Sequence, residues 1–267
     1  MTDSDPLPPS PATLAIGVDV GGSGIKVGVV DVARGELVAP RLRVVTPEPS
    51  TPARIVSAIA RTVARAAKAA GGVPSSVPVG VGVPSVVIDG VTKTAANIDA
   101  AWVDFDAAKA LETALKRPVT VLNDADAAGL AEMRFGAGIG EPGVVFVLTL
   151  GTGVGSGMFN DGVLVPNTEL GHMEIRGRDA ERRSAAAARI RRGLSWKAWA
   201  NDLDEHLQAI DKLFWPNLII LGGGVSKAPE RFMPRLTVRP RLLPAKLRND
   251  AGIVGAAMAA IERRGGT

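Results

Sequence analysis

No cysteine occurs in the 267 residues, so disulfides and thiolate metal centres are excluded outright. Tyrosine is absent too, and Trp and Phe are few, so the apolar share rests largely on Ala and Val. Two histidines without any cysteine make a poor ligand set for a zinc site. No apolar run approaches the roughly 18 residues that a membrane-spanning helix needs. The opening residues, MTDSDPLPPSP, hold neither the basic nor the apolar segment of a secretory signal. A cytoplasmic protein with no membrane partner is expected.

What is present is an apolar fraction of 46%, enough to bury a sizeable interior. The length suits two modest α/β domains sharing a cleft. Residues 1–12 are polar and Pro-rich and read as a disordered tail. The formal net charge is +4. A basic balance points to nucleic acid or to a polyanionic substrate.

Along the chain, 13–20 (TLAIGVDV) and 25–31 (IKVGVVD) read as strands joined by Gly21-Gly22-Ser23-Gly24, a β-hairpin, with a third strand over 37–45. Residues 52–70 carry helical spacing and stop at Gly71-Gly72. Strands are expected over 77–83 and 119–122, with a helix over 107–116. A second hairpin pattern follows: a strand over 143–150, a glycine turn over 151–155, and a return over 156–160. A long helical region begins at 180. A strand over 218–221 ends in Gly222-Gly223-Gly224, ahead of a further helix, and a last helix covers 252–263. The segments 19–24 and 149–155 therefore occupy equivalent places in two halves.

Glycine-rich hairpin tips can be simple turns. They also expose backbone N–H groups to a phosphate with no side chain in the way. Asp19 stands before the first tip and Lys26 after it. A strand-end carboxylate can hold Mg²⁺, usually through water. In the second loop Thr149 and Thr152 offer hydroxyls beside Gly151 and Gly153. The patterns of P-loop nucleotidases and protein kinases are absent.

Asn123-Asp124 closes the strand over 119–122. It is either a helix cap or a carboxylate at a cleft rim that accepts an alcohol proton during phosphoryl transfer. Glu169 and His172, three residues apart, can converge on one small polyol. Asn97 is a further candidate, with Trp102 close enough in sequence to pack beside a sugar. His206 reads as a surface histidine.

Together these segments carry a resemblance. DVGGSGIK (19–26), TAANI (94–98), LNDADAAGLAE (122–132), LTLGTGVGSG (148–157), ELGH (169–172) and LGGGVS (221–226) stand in the order found in the ROK family of bacterial sugar kinases and repressors. The likeness is strongest to its polyphosphate-using glucokinase and glucomannokinase branch. It implies an actin-like (ribonuclease H-like) α/β fold with two domains, 13–123 and 124–251, around a cleft, and the last helix packing back on the first domain. It implies Asp124 as general base for a sugar 6-hydroxyl, Asn97, Asn123, Glu169 and His172 on the sugar, and both glycine loops on the phosphates with Mg²⁺. Glu181 is the nearest match to a further sugar-binding glutamate. Glucose or mannose as acceptor, polyphosphate or ATP as donor, and a homodimer follow from the same resemblance. The cysteine-rich zinc motif that many family members carry after ELGH is absent here. About a dozen residues precede the first strand, so a DNA-binding domain of the repressor type is not expected. An ATP-only glucokinase and a non-catalytic sugar sensor are the alternatives.

Basic residues cluster in two places. Between 176 and 197 there are eight basic and two acidic residues, and between 227 and 248 seven and one. On one continuous helix Arg182, Arg189 and Arg192 would share a face. Such clusters are either solvated faces or a groove for inorganic polyphosphate, since guanidinium forks pair with phosphate oxygens. Few aromatics and no recognition motif argue against nucleic acid.

Overall fold

The computed structural model describes residues 12–96 and 98–265. Asn97 and all but the last residue of the expected N-terminal tail lie outside the described residues. Two sheets share one topology. The first holds β1 (Leu14–Gly21), β2 (Gly24–Asp31), β3 (Glu36–Leu37), β4 (Leu42–Val44), β5 (Val79–Val83) and, further along the chain, Val119–Asn123. Two short ribbon strands, β6 (Val87–Ile88) and β7 (Val91–Thr92), form a small separate sheet with β8 (Phe105–Asp106), so Val119–Asn123 is β9. The first sheet runs β3-β2-β1-β5-β9, with β4 also on β2.

The second sheet holds β10 (Val144–Leu150), β11 (Val154–Asn160) and β12 (Val163–Val165). After the ribbon β13 (Glu174–Ile175) and β14 (Arg178–Asp179) come β15 (Leu218–Gly223) and β16 (Arg241–Pro244). Its order is β12-β11-β10-β15-β16. Each sheet starts with an antiparallel hairpin and adds two parallel strands. In this duplicated register Asp19 pairs with Gly82, and Thr149 pairs with Gly222. The two residues hold the same place in the two halves.

Helix α1 (Pro52–Ala69) starts with Pro at its first position, where no N–H is needed. It lays Ile55, Ile59, Val63 and Ala66 on the first sheet, and Gly71 and Gly72, both at positive φ, end it. Helix α2 (Ala107–Leu115) is capped by Asp106. Helix α3 (Asp124–Phe135) follows β9 but packs on β10 and β11 of the other sheet.

Three expectations need correction. The strand expected over 37–45 divides into β3 and β4 around Pro40, which cannot donate to a ladder. The long helix expected from 180 is three: α4 (Glu181–Ser184), α5 (Ala186–Arg191) and α6 (Trp196–Phe214). Ala185 is extended, with φ −62° and ψ 150°, and breaks the first pair. Gly193 at positive φ and the Ser195 cap separate the second. Arg182, Arg189 and Arg192 therefore do not lie on one helix face. Finally, Gly222–Gly224 leads into a 3₁₀ turn at Gly224–Lys227 rather than an α-helix, because Gly223 at φ 79° turns the chain sharply away from β15.

The last helix, α7 (Ala251–Gly265), lies on the first sheet at unusually short range. A Cβ on Gly17 would fall 1.8 Å from the Ile253 carbonyl oxygen, and one on Gly80 1.7 Å from that of Ala256. Where α7 crosses α3, a Cβ on Gly255 would fall 1.6 Å from the Ala127 carbonyl oxygen. Small residues on both helices make this approach possible, and Ala127, Ala131, Ala256, Ala257 and Ala260 are buried there. Among the described residues no helix is long and apolar enough to cross a membrane.

Gly80→Ala forces helix backbone away from sheet backbone, an overpacking defect that no side-chain rotation relieves. The expected loss of stability is about 3 kcal/mol, read as a lower urea midpoint at unchanged slope.

Candidate active site

A cleft of about 360 Å³ opens between the two sheets. The two hairpin tips face each other across it. The Cβ position of Gly22 is 3.6 Å from the Thr152 hydroxyl, and the second tip is closed by the Gly151 N–H donating to the Gly153 carbonyl at 3.0 Å. Gly151 and Gly224 have nothing within 4 Å of where a Cβ would stand, so their backbone faces open space. Gly21, Ser23, Thr149 and Gly223 also line the cleft. Gly24 and Gly222 do not: Gly24 is pressed on the Arg43 guanidinium, and Gly222 belongs to strand β15. Lys26 Nζ donates to Asp19 Oδ2 at 2.7 Å, and both line the cleft. Asp19 also abuts the first turn of α7, where Gly252 leaves it room.

At the β9–α3 junction both readings of Asn123-Asp124 meet. Asn123 is the helix cap: its Oδ1 accepts from the N–H groups of Ala125 and Asp126 at 2.8 and 3.2 Å. Its amide nitrogen donates to the Ser85 carbonyl and to Glu169 Oε1, both at 3.2 Å. Asp124 is left as the first helical residue, with its carboxyl in the cleft. Burial pushes that carboxyl up to about 7, the charge of Asp19 adds to the rise, and the Ala125 N–H opposes it.

Glu169 and His172 flank a 3₁₀ turn at Leu170–His172. His172 stands between two carboxylates, Glu169 and Asp179, each with an oxygen 3.6 Å from a ring nitrogen. Burial raises the Glu169 pKa, while His172 pulls it down. Glu181 joins the same wall, its Oε2 accepting from the Val154 N–H at 2.9 Å. Gly171 sits where a Cβ would fall 2.3 Å from the Val154 carbonyl oxygen, which accounts for the glycine in ELGH.

Two sequence expectations fail. Trp102 does not reach the cleft; it is in the core of the first half, with its indole N–H on the Ser50 carbonyl at 2.9 Å. His206 is not on the surface. It is buried between Ser184 and Leu170, its Nε2–H donating to the Leu170 carbonyl at 3.0 Å, and burial lowers its pKa. Its role is structural: it backs the ELGH turn from α6.

Sequence reasoning missed a clasp beneath the site. Asp126 is buried, and its Oδ2 accepts from the Asn167 N–H at 2.8 Å. Asn167, at φ 61°, bonds both the N–H and the carbonyl of Val87 through its side chain, each at 2.9 Å. This ties the helix bearing Asp124 to the segment bearing Glu169 and to β6 of the small sheet. Asp126 Oδ1 has no partner, and burial pushes this carboxyl to about 7 as well. The side chain was visible inside LNDADAAGLAE, but nothing in the spacing said that it turns inward. Arg248 and Asn249, just ahead of α7, also line the cleft.

A carboxylate with a raised pKa, two glycine tips and a cluster of carboxylate, amide and imidazole side chains share one cleft, an arrangement chemically suited to taking a proton from an alcohol. In ¹³C-aspartate NMR two carboxyl groups are expected to titrate near pH 7. One disappears in Asp124→Asn. In Asp19→Asn the Asp124 midpoint falls, because a like charge has gone.

Known proteins share this sequence and fold. The ROK family model matches residues 15–188. The chain is 45% identical to a polyphosphate glucokinase of Mycobacterium tuberculosis over 246 residues, 92% of this chain and 90% of that one. The crystal structure of an inorganic polyphosphate/ATP-glucomannokinase from an Arthrobacter species superposes with a TM-score of 0.92 at 48% identity, over 94% of this chain and 99% of that one. A ROK family glucokinase from Streptomyces griseus, solved with glucose and AMPPNP, gives a TM-score of 0.80 at 28% identity, over 93% and 99%. With its glycine-tipped duplicate hairpins, its actin-like α/β fold and these relatives along nearly its whole length, the chain belongs to the ROK family.

Proposed function

We propose that this chain is a hexokinase-type phosphotransferase that makes glucose 6-phosphate from inorganic polyphosphate or ATP and accepts mannose as well. The observation that carries the reading is the Asp124 carboxyl, buried in the cleft between the glycine loops and the Glu169–His172 turn, with its pKa raised to about 7. The relatives support the sugar and the donors, and the raised pKa of Asp124 supports its reading as the base.

In the proposed reaction the Asp124 carboxylate takes the proton of the sugar 6-hydroxyl. The oxygen then bonds the terminal phosphorus as the bond from phosphorus to the bridging oxygen breaks, releasing ADP or a polyphosphate shorter by one unit. Glu169, His172 and Glu181 hold the sugar hydroxyls, with Asn123 orienting Glu169, and Asn97 joins them by resemblance. The N–H groups of both hairpin tips hold the phosphates. Domains 13–123 and 124–251 close on the bound sugar and exclude water, which limits hydrolysis of the donor.

Mg²⁺ fits this cleft in one role. Among the described residues no group of three or more His, Asp or Glu side chains could hold a metal by itself. Asp19, facing the gap between the tips, suits an ion carried largely by substrate phosphates and water. There it would neutralise charge on the donor, and its removal by chelation is expected to abolish turnover. The resemblance also implies a cytoplasmic homodimer; sedimentation velocity on the purified chain tests the assembly.

The test is sugar 6-phosphate formation by the purified protein with glucose or mannose, each with ATP or nucleotide-free polyphosphate. Turnover with glucose and at least one donor is expected; none with either donor defeats the reading. Asp124→Asn is expected to bind glucose and to lose about 10²–10⁴-fold in kcat. In the unaltered enzyme only the ionised carboxyl accepts a proton, so kcat/KM falls about tenfold per pH unit below about 7. A profile flat down to pH 5 would remove Asp124 as the base.

A further inference from the structure

We infer that a groove lined by Arg178, Arg182, Arg183, Arg191 and Arg192 is a second anion site, which holds the trailing phosphates of a long inorganic polyphosphate while its end occupies the glycine loops. The inference rests on the donor reading above and goes further, assigning that donor a place outside the cleft.

The groove has a volume of about 540 Å³, and its walls come from arginine alone. Ribbon strand β14 supplies Arg178, α4 supplies Arg182 and Arg183, and the end of α5 supplies Arg191 and Arg192. A merely solvated basic face would spread its charges. Here the ribbon turns at Arg176-Gly177, both at positive φ, and the chain breaks again at the extended Ala185. Those two bends fold three short elements together so that the guanidinium groups converge.

Two acidic residues of α6 fix part of this cluster. Arg183 donates to Asp202 and, at 2.8 Å, to Glu205, and Arg192 donates to Asp202 at 2.6 Å. Arg191 is held by the Arg182 carbonyl at 3.0 Å. Among the described residues, the side chains of Arg178 and Arg182 make no ion pair, and both are exposed. Converging like charges with too few counter-charges repel one another until an anion joins them. Arginines already fixed by carboxylates lose less freedom when it does.

The groove and the cleft share elements. On α4 Glu181 faces the cleft, and the next residue, Arg182, faces the groove. The Ala187 N–H donates to the Gly151 carbonyl at 3.0 Å, so α5 starts against the second glycine loop. Arg191 lies four residues further on, about 6 Å along a helix. That short span puts the arginines within reach of a phosphate chain of several units that leaves the loop. No aromatic side chain lines the groove, so the stacking platform typical of single-strand binding sites is missing and charge is the main attraction, which favours inorganic polyphosphate over a nucleotide or nucleic acid.

The test uses the full chain and a double variant, Arg178→Gln with Arg182→Gln, of two groove arginines that make no ion pair and do not brace another groove side chain through their own. Turnover is measured with long-chain polyphosphate, tripolyphosphate and ATP, and binding of labelled long-chain polyphosphate and single-stranded DNA is followed by anisotropy. The expected result is a KM for long-chain polyphosphate raised by about tenfold and less sensitive to salt, with ATP and tripolyphosphate unchanged within about twofold. An unchanged KM for the long chain, or an equal loss with ATP, overturns the inference. So does wild-type binding of DNA as tight as that of polyphosphate. If wild type turns over ATP alone but binds polyphosphate through these arginines, polyphosphate is no donor, the ATP half of the proposed function stands, and the groove stands as an anion site. If long-chain turnover is intact in the variant, the donor reading stands and the groove falls. If wild type neither binds nor uses polyphosphate, polyphosphate as donor and the groove both fall.

Discussion

Backbone lies on backbone where α7 meets the first sheet, and the rest of the architecture is arranged around that contact. Gly17 and Gly80 remove the side chains that would keep the helix at the usual distance, and Gly255 does the same where α7 crosses α3. Each helix that follows the last strand of its half packs on the sheet of the other half: α3 on β10 and β11, α7 on β1 and β5. The exchange joins two sheets of identical order and brings their hairpin tips face to face. An interior poor in aromatic residues suits this, because alanine and glycine are what allow helices to approach so closely.

Beneath the tips the cleft concentrates negative charge in a place that disfavours it. Asp19, Asp124, Asp126 and Glu169 lie close together, and burial raises the pKa of the last three. Such a cluster is unfavourable on its own and acts as a reservoir for function. The surroundings divide the roles. Asp126 is turned inward to hold Asn167, Glu169 is oriented by Asn123, and Asp124 keeps its carboxyl toward the cleft.

Much of this was legible in the sequence, for specific reasons. The hairpins at 19–24 and 149–155 stood out because glycine tips follow strands of β-branched residues, and Asn123-Asp124 because it ends a strand. What stayed hidden depends on tertiary contact. Nothing local says that Asp126 points inward, that His206 supports the ELGH turn from behind, or that Trp102 belongs to a core. The arginine groove was visible only as a charge excess: an unbroken helix was expected there, and the extended Ala185 that folds it back carries no signal in a run of alanines.

The chain passes between the two halves at Asn123–Asp124 and again at Asp250–Ala251, and both passages border the cleft. The closure proposed above would use these two crossings as its pin, with one sheet swinging relative to the other. Points far from a pin sweep wide arcs, while points on it scarcely move. Asp124 is on the pin and the glycine tips are on the jaws. In that proposed closure the Asp124 carboxylate stays nearly in place, and the glycine tips are what travel toward it.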